Sequence, residues 1–183
     1  MVASIAGILV MAIYEDESKK AEKIASKIKD SIVKTGEFDR TQRNGYFVDR
    51  PILSAKIKKN LDSKMLTKEL TIVYGAKGVG KSTIIDSVFQ GRKGVLKIPV
   101  TSNTSKEEIT RMIAQSTGTT TLNPANGDFV DAMRIGLGDD GIIPTIIFEI
   151  ECGQGAEQWG GFQSAGSVAK EFSVACTVIL VLS

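Results

Sequence analysis

Residues 75–82 read Gly-Ala-Lys-Gly-Val-Gly-Lys-Ser, which fits the pattern GxxxxGK[ST]. Gly75, Gly78 and Gly80 let a backbone fold into a tight loop whose N–H groups point inward. Those dipoles, continued by the N-terminus of a helix, attract phosphate oxygens. Lys81 reaches the outer phosphates of a bound triphosphate as a point charge. The Ser82 hydroxyl suits Mg2+, a hard ion that takes oxygen ligands. Ala76, Lys77, Val79 and Thr83 complete the expected binding stretch. The context is the one this chemistry requires: the apolar run 70–74 reads as a strand and 81–90 as a helix closed by Gly91.

The second constellation is acidic. Residues 144–151, Pro-Thr-Ile-Ile-Phe-Glu-Ile-Glu, form an apolar strand that ends in carboxylates. Side chains alternate along a strand, so Glu149 and Glu151 share one face and Ile150 points to the other. The backbone of Glu151 lies about 3.3 Å per residue farther along.

With these residues the chain resembles the P-loop ATPases of the additional-strand division, the group holding AAA+ and STAND-type ATPases. Their Walker B strand ends Asp-Glu, the Asp ordering the Mg2+ shell and the Glu activating water; here Glu149 takes the Asp place and Ile150 the place of the catalytic Glu. The resemblance therefore implies Lys81, Glu149 and Glu151 as catalytic candidates and Ser82 and Glu149 as metal candidates, with Glu151 either substituting as the base or being an ordinary charge at a loop end. Upstream, Tyr46-Phe47-Val48-Asp49-Arg50-Pro51 is similar to the hydrophobic-hydrophobic-Gly-Arg-Glu motif that borders the adenine in those modules. Phe47, Val48 and Arg50 match it, whereas Asp49 replaces the Gly and Pro51 the Glu. The alternative is a connector with Phe47 and Val48 buried. The resemblance covers about residues 45–183 and implies ATP and Mg2+ as ligands, hydrolysis coupled to a conformational change, and a homo-oligomer or a protein partner. A nucleotide-binding switch with little turnover is the competing reading, motivated by Ile150. A fifth strand, a sensor-2 arginine and a lid would follow Ser183 in that family, so a truncated core is expected.

Composition narrows the field. The 183 residues contain no histidine, which removes Ser-His-Asp and Cys-His catalysis and His-ligated zinc. Cys152 and Cys176 stand alone, without CxxC spacing or a disulfide framework. Residues 1–91 carry 16 basic and 11 acidic groups and residues 92–183 carry 7 and 10, so no basic surface extends over the whole chain. The lysines of residues 49–68 lack interleaved aromatics and read as a solvated helix face, so nucleic acid is not indicated. No NKxD or DxxG follows the glycine loop, which disfavours guanine. Only Arg134 and Lys170 are basic after Arg111, which disfavours a small-molecule kinase with an arginine-rich lid.

The elements that must hold these residues follow from periodicity. Short apolar strands at 70–74, 95–100, 144–151 and 176–182 alternate with helices at 51–61, 81–90, 106–116, 128–137 and 162–172. Ser105 to Glu108 forms a capping box before the third of these. Continuous apolar strands separated by helices predict an α/β fold: a three-layer core over residues 37–183 with a mainly parallel sheet covered on both faces. Residues 1–36 form a separate N-terminal arm. Within it, Ala21, Ile24, Ala25, Ile28 and Ile32 make one apolar stripe of a helix over 15–34. Residues 2–14 are an uncharged run shorter than the roughly 20 residues a membrane span needs. They are a buried helix or strand, the stump of a longer anchor giving membrane association, or a poorly ordered leader. The expected location is intracellular.

Overall fold

The computed structural model describes residues 50–67, 70–92, 94–117, 144–151 and 159–182, together with Lys19, Glu22, Lys23, Ser26, Lys27 and Asp30. Those last six positions are helical and exposed, as the polar side of the predicted 15–34 helix should be. The apolar stripe of that helix, residues 2–14, Phe47 and Val48, and the predicted loop and helix over 118–137 lie outside the described residues.

The elements are α1 (Pro51–Thr67), β1 (Thr71–Val73), α2 (Lys81–Phe89), β2 (Val95–Val100), α3 (Lys106–Ser116), β3 (Thr145–Ile150), α4 (Gly160–Phe172) and β4 (Thr177–Leu182). Pro51 occupies the first position of α1, where its fixed φ suits the helix and its missing N–H costs nothing. This helix runs on to Thr67 rather than stopping near Leu61, because no Gly or Pro interrupts residues 62–67. Ser105 caps α3 as predicted, its hydroxyl accepting from the Glu108 N–H at 3.2 Å. Hydrogen bonds to the Glu107 carboxylate, from its own backbone and from Ser105, lower its pKa.

The four described strands form one sheet in the order β1-β4-β3-β2, and every pairing among them is parallel. The chain crosses from β1 to the far edge at β2, then returns through β3 to β4. Right-handed crossovers made in opposite directions place their helices on opposite faces. The core is divided accordingly. Leu96, Ile98, Val100, Ile146, Phe148, Ile150, Val178 and Leu180 pack with Ile109 and Ile113 of α3 and Ala165, Val168 and Phe172 of α4. Val95, Ile147, Ile179 and Val181 pack on the other face with Leu61 of α1 and Ile85, Val88 and Phe89 of α2. Strand residues of β3 with even numbers therefore face α3 and α4, and those with odd numbers face α1 and α2.

α4 begins at Gly160, two residues before the predicted start at Phe162. The reason is a close backbone approach. The Gly161 N–H donates to the Ser102 carbonyl at 2.9 Å, and a Cβ on Gly161 would stand 1.9 Å from the Thr101 carbonyl oxygen. Only glycine lets the helix dock there.

Candidate functional site

Parallel α/β sheets place their working loops beyond the carboxyl ends of the strands, where the crossovers diverge. Both constellations from the sequence lie at that end. Val73 at the end of β1 pairs with Val181 of β4, and Val181 pairs with Glu149 of β3. These three residues form one row across the sheet on the α2 face. With strands about 4.8 Å apart, Glu149 stands on the order of 10 Å from Val73, two strands away.

The glycine loop connects Val73 to α2. Gly78 and Gly80 have φ of 82° and 86°, a left-handed backbone that a side chain strains, so these two glycines are required by conformation. Gly80 is the N-cap of α2 and contributes no capping side chain. The first intrahelical bond runs from the Ile84 N–H to the Gly80 carbonyl at 3.0 Å. The amides of Lys81, Ser82 and Thr83 precede it and have no partner within the helix, which leaves donors directed at the loop. Gly75, Ala76, Lys77, Gly78 and Val79 are exposed, while Gly80, Ser82 and Thr83 are half-buried. Lys81 is buried at 8% exposure and folds its ammonium back over the loop, donating to the carbonyls of Gly75 at 2.9 Å and Ala76 at 2.8 Å.

The acids separate as alternation requires. Ile150 packs into the α3/α4 core at 1% exposure and faces away from the loop. Glu149 is half-buried on the α2 face, and Glu151 is exposed just beyond the strand. The Glu151 N–H donates to the Val100 carbonyl at 2.9 Å, which extends the ladder by one residue and fixes its backbone.

Sequence reasoning missed Lys97. Its ammonium lies 2.8 Å from Glu149 Oε1 and 3.0 Å from Asp86 Oδ1 of α2. The approach to Asp86 is a hydrogen bond. The approach to Glu149 is an ion pair, and the buried Oε1 accepts no hydrogen bond among the described residues. The signal was present in β2, Val-Leu-Lys-Ile-Pro-Val, where a lysine interrupts an apolar strand on the same face as Val95.

Arg50 is exposed ahead of α1. A shallow depression of about 330 Å3 next to it is lined by Arg50, Pro51, Ile52, Leu53 and Lys56. Among the described residues, this lining contains nothing from β1 or the glycine loop. No group of three or more His, Cys, Asp or Glu among the described residues gathers into a metal-holding cluster. A nucleotide-bound Mg2+ needs less, because phosphates and water fill most of its shell. The Ser82 hydroxyl and the Glu149 carboxylate, whose Oε1 pairs with Lys97 and accepts no hydrogen bond among the described residues, have the oxygen chemistry such a hydrated ion takes. No helix among the described residues is long and apolar enough to cross a membrane.

The chain matches no family model and no curated protein sequence.

Proposed function

We propose that this chain binds ATP at residues 75–83 as a P-loop NTPase of the additional-strand division, with Mg2+ held between Ser82 and Glu149. The observation that carries the reading is the loop itself. Two left-handed glycines, Gly78 and Gly80, lead into a helix whose first amides lack intrahelical partners, with the Lys81 ammonium folded over the same turn. This arrangement provides dipoles and a positive charge for a polyphosphate. The sheet order supports the assignment, since β4 lies between the strand leading into the loop and the strand carrying Glu149, as an additional strand does.

When bound, Mg2+ would neutralise charge on the outer phosphates. The chain's own residues do the rest. The backbone amides hold the phosphates, and Lys81 exchanges its two carbonyl acceptors for phosphate oxygens. Glu151 is the remaining carboxylate on the correct face to accept a proton from water, which it does only within hydrogen-bond reach of that water.

A second reading, a nucleotide-binding switch with little hydrolysis, is favoured by Ile150, which is buried on the opposite face in the place where the resemblance expects the catalytic acid. Calorimetric titration of Mg-ATP into wild type and Lys81→Ala tests the binding. Equal affinities for the two proteins would sink it. Phosphate release from the wild type then separates the two readings: turnover above background selects the ATPase, and tight binding without turnover selects the switch.

A further inference from the structure

We infer that Lys97 is an internal counter-ion that competes with a divalent cation for Glu149 and so sets the metal dependence of the glycine-loop site. The inference rests on the nucleotide reading above. Lys97 sits between the buried Leu96 and Ile98 in the middle of β2, with its side chain about three-quarters buried on the α2 face. A cation so placed needs partners. Among the described residues it has two, Asp86 on the helix that the glycine loop opens and Glu149 on β3, two strands from the strand leading into that loop. One ammonium thus links the acid to α2.

The two contacts differ in kind. Lys97 donates a hydrogen bond to Asp86 at 3.0 Å and forms an ion pair with Glu149 at 2.8 Å, and Oε1 accepts no hydrogen bond among the described residues. The Glu149 carboxylate is therefore neutralised by a charge that an approaching metal must displace. A hydrated Mg2+ approaching that carboxylate meets a like charge within a few ångströms, which raises the concentration of metal required. Once the metal is in place, Lys97 keeps its hydrogen bond to Asp86, so the displaced ammonium is not left buried and unpaired. Lys97 acts through Glu149 and touches no ligand, so it is a positioning residue.

The test is calorimetric titration of ATP into the full chain over a series of MgCl2 concentrations, for wild type, Lys97→Gln and Lys97→Arg. The glutamine amide is one bond shorter, stays polar and carries no charge. In Lys97→Gln, the Mg2+ concentration giving half the maximal gain in ATP affinity should fall about tenfold, a figure reduced for the partial exposure of the pair. Lys97→Arg, which keeps the charge, should stay at the wild-type midpoint. A folded Lys97→Gln with the wild-type midpoint overturns the assignment. Should circular dichroism show that Lys97→Gln does not fold, Asp86→Asn is read instead. It removes the second carboxylate charge while keeping an oxygen that can accept from Lys97, so Glu149 becomes the sole anion paired with the ammonium and the midpoint should rise; an unchanged or lower midpoint overturns the assignment. Wild type that fails to bind ATP at any Mg2+ concentration sinks the nucleotide reading and this inference together, whereas ATP binding with unmoved midpoints sinks only the role of Lys97.

Discussion

The Lys81 ammonium donates to the Gly75 carbonyl across 2.9 Å, so the first residue of α2 reaches back to the start of the loop that precedes it. With a second bond to Ala76, the loop is closed on itself by its own cation. A ligand that recruits Lys81 must draw it from these two acceptors.

Lys81→Ala should therefore have two separable effects. Loss of the charge facing the phosphates should weaken Mg-ATP binding by about 2–4 kcal/mol, as for a truncated charge-assisted contact. Loss of the two carbonyl contacts should lower the stability of the unliganded protein by about 1 kcal/mol. Calorimetry reads the first and denaturant unfolding the second. A stability loss with unchanged ATP affinity would reduce Lys81 to a staple of the loop.

Gly80→Ala isolates backbone strain, because a Cβ there has open space around it and meets no atom within 4 Å. The left-handed φ of 86° should cost about 1–2 kcal/mol of stability. Gly80→Asn should cost less, since Asn tolerates this region. Thermal unfolding of the three proteins gives the order Gly, Asn, Ala; an alanine variant as stable as wild type would mean the loop adopts another conformation.

The same substitution should have opposite signs at two positions of α4. Gly161→Ala drives a Cβ into the Thr101 carbonyl and should destabilise by about 1–3 kcal/mol through forced backbone shift. Gly166→Ala meets nothing within 4 Å in the helix interior and should stabilise by about 0.5–1 kcal/mol. Paired melting curves check the signs. Equal shifts for the two variants would contradict the docking of α4 on the loop after β2.

Glu149→Gln should lower Mg2+-dependent ATP affinity, whereas Glu151→Gln should leave affinity alone and lower turnover wherever turnover is measurable. Affinity with and without Mg2+, together with phosphate release, distinguishes the two. Loss of metal dependence in Glu151→Gln alone would place the metal acid two residues further along the strand.

The sequence revealed the elements better than their arrangement. Apolar runs bounded by Gly and Pro located β2 and β3 closely, and the Ser105 cap located α3, because periodicity and capping are local. The order β1-β4-β3-β2 depends on contacts between distant segments, which no local pattern encodes. The opposed directions of Glu149 and Ile150 followed from alternation alone, and the structure agrees. Lys97 was hidden because its partners, Asp86 and Glu149, lie on two other elements. Gly161 was visible only as part of a glycine-rich stretch; the need for it arises from the backbone of Thr101, some sixty residues earlier.

The pairing of β1 with β4 also sets the order of events on the ribosome. Thr71, Ile72 and Val73 find their only described neighbouring strand at Ile179, Leu180 and Val181, more than a hundred residues later. Synthesis is vectorial, so the strand that launches the glycine loop emerges early and then waits for its partner. Contacts this distant close slowly because the chain entropy of the intervening segment is lost first. A nascent chain stalled before β4 holds the loop sequence without the strand that pairs with β1, and maturation of the site is timed by the emergence of β4.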